Sequence, residues 1–350
     1  MFPKILRNAV CACLLLIVLA ATASHTLAAQ CRLYATDYNT DTVRAMDCTN
    51  NANTVMQPIP VGQQPFGIVA SADGKWLYVA NYGSDSVTVI NTDFNIPYYS
   101  VGVGDGPIGV AISADGRRLY VANYLGDSVS VVNIPSNGTT PTLAGTIAFP
   151  SGSQPDNVAL SADGSVLYVA RWHDYKVSAV DLSTPNYQIV QTLVTGGAPS
   201  AFAVSADGKR VYVANEFGGP NADGSIAVLD STNPRQNTIL TTWNLPYHTF
   251  PQQQIALSSN GRYLYVPAEG SAAALMIDTD DGSVKSSFRA GVQPWSEALS
   301  PDGALVYVAH GNEIAILNSG WNTTAFPDVT LGGPTSWLLN MAVVHKTTCQ

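Results

Sequence analysis

Short runs of adjacent apolar and aromatic residues recur along the chain. Each follows a polar turn and precedes a segment of strict alternation. Leu119-Tyr120-Val121-Ala122-Asn123 comes after Ser113-Ala114-Asp115-Gly116, and Ser128-Val129-Ser130-Val131-Val132 then alternates polar with apolar. Period-two alternation predicts a half-buried strand. The run before it, rich in β-branched and aromatic residues, predicts another. Upstream, Val110-Ala111-Ile112 reads as a first strand closed by Asp115-Gly116, where glycine takes positive φ without steric cost. A fourth strand near Thr142 to Phe149 and a Gly/Pro-containing link complete a unit of four antiparallel strands, the composition of a propeller blade.

The unit repeats. Ser71-Ala72-Asp73-Gly74, Ser113-Ala114-Asp115-Gly116, Ser161-Ala162-Asp163-Gly164 and Ser205-Ala206-Asp207-Gly208 are followed by Ser258-Ser259-Asn260-Gly261 and Ser300-Pro301-Asp302-Gly303. Measured at the Asp or Asn, the steps are 42, 48, 44, 53 and 42 residues, within the range of propeller repeats. Seven second strands can be counted, at Leu33, Leu77, Leu119, Leu167, Val211, Leu264 and Val306, each followed by tyrosine. Six have the turn motif in front. The unit at Leu33 lacks a first strand, while Leu338 to Val344 is a first strand with nothing after it. The expectation is an all-β, seven-bladed propeller over residues 30–350, its ring closed by N- and C-terminal strands sharing one blade. Closure hides edges that would otherwise recruit other chains.

The units resemble the YVTN family of β-propeller repeats. Gly106-Pro107-Ile108-Gly109-Val110-Ala111 through Asn123, then Ser128 to Val132, follows that family's pattern almost throughout. The resemblance covers essentially the whole chain after the leader and implies the same fold. It implies no one activity, because relatives of that kind include exported binding proteins, surface-layer proteins, redox-enzyme subunits and lactonases. Fold alone does not choose among them.

Residues 1–29 read as an export signal. Lys4 and Arg7 precede an apolar stretch from Ala9 to Ala23, and small residues follow, as signal peptidase requires. An uncleaved anchor is the alternative, and the run is short for a spanning helix. Removing Lys4 and Arg7 takes the formal net charge from −9 to −11. That acidic chain has no basic footprint for nucleic acid. No membrane insertion is expected after cleavage. The location expected is periplasmic or secreted, and the state monomeric.

Three cysteines remain beyond the leader, in an oxidising compartment. Alignment of the first unit on Leu77 to Asn91 puts Cys31 opposite Cys48 across a hairpin. The alternative joins Cys31 to Cys349 and staples the ring closure.

Chemistry is sought where the repeat is broken. The residues after each link proline compare as Phe66, Ile108, Asp156, Ser200, Gln252, Trp295 and Thr335. Those ending the second strands compare as Asp37, Asn81, Asn123, Arg171, Asn215, Ala268 and His310. Asparagine there is explained by hairpin capping, its side chain bonding its own backbone. Blade four departs with Asp156 and with Arg171-Trp172-His173, and blade seven with Trp295, Glu297 and His310. Gathered at one mouth, these seven residues would bind a small polar or aromatic ligand, rings supplying area and charges orientation. The competing explanation is seven unrelated surface or interblade residues. The insertion at 216–224 either covers the mouth or is a tolerated surface loop.

No metal site is expected, since the histidines lack H-E-x-x-H or comparable spacing. Asp278 to Gly282 lacks a calcium-loop register. No cofactor is implied: there is no G-x-S-x-G elbow, Walker loop or haem-attachment motif. The leading expectation is a non-enzymatic exported binding protein, its partner a small ligand or another exported protein. The alternatives are a lactonase-like hydrolase or lyase using His310, His173 and Glu297 as acid–base groups, with or without a divalent cation, or an accessory subunit of a periplasmic redox enzyme.

Overall fold

Each predicted turn motif closes a hairpin by the same bonds. In the first, Ser71 Oγ donates to Asp73 Oδ1 at 2.6 Å, which also accepts the Lys75 N–H at 3.1 Å. The Trp76 N–H returns to Ser71 Oγ at 3.0 Å, and Gly74 takes φ +67°. The bonds recur from Ser113 to Asp115 and from Ser300 to Asp302. The repeated Ser-x-Asp-Gly is thus a self-contained turn, and the tetrapeptide carries the blade period for that reason.

The computed structural model describes residues 30–135, 140–218, 223–246, 249–319 and 324–346. They form seven antiparallel sheets arranged in a ring. Blade two is Pro65–Ala70, Trp76–Asn81, Ser86–Asn91 and Ile96–Gly102, paired in that order. Blades three to seven repeat this path, starting at Pro107, Pro155, Pro199, Pro251 and Pro294. First strands contact the first strands of neighbouring blades, so they line the axis and fourth strands face outward.

Blade one is composite. Gln30–Asp37 pairs with Thr42–Asp47 on one side and with Leu338–Lys346 on the other, in the register Leu33↔Val343 and Tyr34↔Ala342. The ring therefore closes as expected. One alignment is corrected: Asp37 pairs with Leu338, so the position of Trp295 is held in blade one by Leu339 rather than Thr335. Leu338, four residues beyond Pro334, takes the station of the link proline, which displaced the count by four.

The core is a series of apolar seams between blades. Tyr34, Val43, Leu77, Val79 and Ile90 fill that between blades one and two. Tyr212, Ile226, Leu264 and Leu275 fill that between five and six. Cys31 is bonded to Cys48 with Cα atoms 5.0 Å apart, fastening the first hairpin. Cys349 and residues 1–29 lie outside the described residues. No helix among the described residues is long and apolar enough to cross a membrane.

Candidate functional site

In blades one to six the backbone N–H after the second strand donates to a carbonyl of the link that leads into that blade. Tyr82 bonds Gln64 at 3.0 Å, Tyr124 bonds Gly106 at 2.8 Å and Trp172 bonds Gln154 at 3.1 Å. Glu216 bonds Ala198 at 2.8 Å, Glu269 bonds Phe250 at 3.3 Å and Tyr38 bonds Trp337 at 3.0 Å. This repeated tie fixes six side chains at equivalent stations around one mouth. Blades one to four supply Tyr38, Tyr82, Tyr124 and Trp172, and blades five and six supply Glu216 and Glu269.

All six are half-buried. Trp172 lies at their junction: its ring meets Tyr124 at 6.4 Å and Phe217 edge-on at 5.3 Å, and its Nε1 donates to Glu216 Oε2 at 2.8 Å. On the other side Trp295, Trp337, Tyr38 and Phe66 follow one another at 5.3, 6.0 and 6.2 Å. Tyr and Trp rings placed so combine a large apolar face with a polar edge.

Three carboxyl groups stand beside these rings. Burial pushes Asp156 up to about 8, against the hydrogen bond from Gln253, and the Glu216 charge adds to the rise. Glu216 is raised by burial despite hydrogen bonds from Trp172 and Gln252. Glu269 is raised by burial and then by the Glu216 charge. Gln252 Nε2 also donates to Glu269 Oε2 at 2.9 Å. Desolvated, mutually repelling carboxyl groups favour the neutral acid.

The floor comes from blade six. One extra residue in Gln252-Gln253-Gln254 leaves its first strand only two regular residues, Ala256–Leu257. The freed glutamines cross the axis. Gln253 Nε2 donates to Asp156 Oδ2 at 2.9 Å, and its carbonyl accepts from Asn157 Nδ2 at 2.8 Å. Gln254 exchanges two hydrogen bonds with the Met341 backbone, at 3.0 and 3.1 Å. Polar side chains thus fill the axis beneath the mouth.

The seven residues singled out in the sequence are distributed unequally. Asp156 and Trp172 belong to the carboxylate side of the mouth, and Trp295 to the aromatic arc. Arg171 is turned into its own hairpin, bonded to Ser178 Oγ at 3.2 Å and Ser153 Oγ at 3.0 Å, paired with Asp174 and set over Phe149 at 5.7 Å. His173 is exposed. His310 points along blade seven toward Asp328, 3.5 Å away, and burial holds its imidazole below the usual range. Glu297 is fully buried, and neither carboxylate oxygen has a hydrogen-bond partner. Its register, opposite Val308, is that of Ile68, Val110, Val158, Phe202 and Met341, so it sits in an interblade seam.

The repeat asparagines also behave differently from expectation. Asn81 Nδ2 reaches Ser86 Oγ at 3.1 Å and Thr88 Oγ1 at 2.9 Å; Asn123 does the same to Ser128 and Ser130, both at 3.0 Å. They tie the second strand to the third through hydroxyls rather than to their own backbone. Glu216 and Glu269 were the residues missed. The signal was one position further on, where aromatic residues give way to glutamate.

A cleft of 660 Å³ on the opposite face is lined by Asp73, Trp76, Tyr99 and Arg117. Similar clefts recur beside other turn motifs. They follow from the repeat, and the turn carboxyl groups that line them, Asp73, Asp115 and Asp163, are lowered by their turn hydrogen bonds rather than raised.

A closed seven-bladed propeller with a lined mouth is the class these strands define. The chain belongs to the choice-of-anchor I domain family, whose model matches residues 108–330, or blades three to seven. No curated protein matches it. Among solved structures it is similar to the periplasmic gluconolactonase of Pseudomonas aeruginosa, at 20% identity and TM-score 0.75 over 90% of this chain and 99% of that one. It is also similar to hydrazine synthase of Kuenenia stuttgartiensis, at 20% identity and TM-score 0.69 over 82% and 92%. The β-propeller domain of Cps50 (Swd1) from Myceliophteria thermophila matches at 13% identity and TM-score 0.67 over 83% and 94%. Proteins so different in name, at such identities, share the fold alone.

Proposed function

We propose that this is an exported binding protein whose mouth takes a small ligand carrying hydrogen-bond donors beside a face that stacks on aromatic rings. The observation that carries the reading is the grouping of Asp156, Glu216 and Glu269 on three successive blades, all three raised by burial, with Glu216 hydrogen-bonded to Trp172. Hydroxyl or amine donors satisfy such carboxyl groups, and Trp172 and Tyr124 supply the apolar face. The disulfide and the basic-then-apolar leader support export to the periplasm or beyond.

Thermal-shift screening against sugars, sugar lactones and small amines tests this, followed by calorimetry on the hits. Trp172→Ala and Glu216→Gln should each weaken a hit about tenfold or more while the melting temperature stays near that of the parent. Hits that survive both substitutions unchanged would place the ligand elsewhere.

A lactonase-like hydrolase is the second reading, favoured by Asp156. A carboxyl group held near 8 and hydrogen-bonded to Gln253 is suited to give or take a proton at neutral pH. The fold likeness to a gluconolactonase fits it. Lactone hydrolysis that persists in Asp156→Asn would sink it.

A further inference from the structure

Blade seven has the shortest second-to-third-strand hairpin of the ring. His310 pairs directly with Glu313 across Gly311-Asn312, whereas Asn81 pairs with Ser86 and Asn123 with Ser128. Losing two loop residues brings a histidine and a glutamate face to face. Gly311 allows it with φ +54°. On the other flank the third and fourth strands slip register: Ile314 faces Val329, but Ile316 faces Phe326. Two residues, Pro327 and Asp328, therefore oppose the single Ala315. A bulge of this kind re-aims a side chain, and here it turns Asp328 toward His310. Ala315 stands where blades two and three carry the hydroxyls of Thr88 and Ser130, which leaves room for the ring.

One ligand atom each from His310, Glu313 and Asp328 lies within 4.8 Å of the others. His310 is only 5% exposed, and its Nε2 is buried without a hydrogen-bond partner although Asp328 Oδ2 lies 3.5 Å away. The ring is held from behind, since a Cβ on Gly291 would fall 2.0 Å from Nδ1. Glu313 is oriented too, its Oε1 accepting from Thr330 Oγ1 at 3.0 Å. We propose that these three residues form a zinc-binding site on the rim of blade seven. Tetrahedral zinc with bonds of about 2.0–2.1 Å sets its ligands about 3.3 Å apart, close to the His310–Asp328 separation. Imidazole with two carboxylates suits zinc better than calcium or magnesium, which take oxygen alone. Asp328 is exposed, so the ion enters from solvent and keeps a water in its fourth position. The site is separate from the mouth, whose carboxyl groups come from blades four to six.

The full exported chain, stripped with EDTA, is titrated with zinc chloride by calorimetry. One ion per chain and a higher melting temperature are expected, with cobalt giving the visible absorption of a tetrahedral site. His310→Ala and Asp328→Asn should each weaken uptake about tenfold or more, and His173→Ala should not. Asp328 is surface-exposed, so its variant remains a fair test if His310→Ala misfolds. Absence of stoichiometric uptake overturns the proposal, as does uptake that survives Asp328→Asn or disappears with His173→Ala.

Discussion

Asp156 in blade four accepts a hydrogen bond at 2.9 Å from Gln253 in blade six, so an acid in the mouth is held by a residue two blades away. Its carboxyl is pushed up to about 8 by burial, whereas an unfolded Asp titrates near 3.9. Below about pH 4 both states are protonated and the neutral acid costs nothing. Between about 4 and 8 the unfolded chain ionises while the folded one stays neutral, so stability falls as pH rises and levels off above about 8. Asp156→Asn keeps an acceptor for Gln253 and removes the titration. Its melting temperature should exceed that of the parent at pH 8 and converge with it at pH 4. Parallel curves would show that Asp156 is ionised in the fold.

Glu297 makes a sharper case, because five equivalent positions carry Ile, Val, Phe or Met. Its carboxyl is raised well above the usual range by burial, and nothing bonds it. Glu297→Met should stabilise the protein at neutral pH by about 1–3 kcal/mol, the ordinary cost of a buried unsatisfied polar group. Chemical denaturation measures it. A loss of stability would mean that the carboxyl has a partner in solution.

The fold was legible because its rules are local. Ser71 and Asp73 build their turn within the six residues from Ser71 to Trp76, and repetition of that turn reveals the blade period. Even ring closure was readable, as an unpaired strand at each end. The mouth was not, because its members come from different blades and meet only in the ring. Asp156, Trp172 and Trp295 stood out by breaking the repeat. Arg171 and His310 broke it as visibly, yet they occupy the asparagine station and point along their own blades. Glu297 broke it within a seam. A departure from the repeat marks an altered residue; the station it occupies decides where the side chain goes.

The Cys31–Cys48 bond spans 17 residues. In the chain-entropy model a loop of that size contributes about 3 kcal/mol. The double variant Cys31→Ser, Cys48→Ser should lose roughly that much in urea denaturation, and reducing agent should lower the parent to the same midpoint. No change on reduction would mean that the bond does not form in the protein in solution.

Removal of Leu338 to Gln350 takes from blade one the strand that pairs with Leu33 and Tyr34. The truncated chain should aggregate, because Gln30–Asp37 becomes an open edge. Size-exclusion chromatography checks this, and a stable monomer with an unchanged melting temperature would refute the role of the last strand.

That shared blade also sets an order of events in time. Blades two to seven are each one continuous stretch and can form in turn as the chain emerges. Blade one cannot, since Leu33 waits for Val343 at the far end. Until the last strand arrives the protein is an open arc with two sticky faces, competent to join another arc as readily as itself. The interval before closure is its hazardous one. Whatever speeds delivery of the final strand protects the protein more than any contact formed earlier.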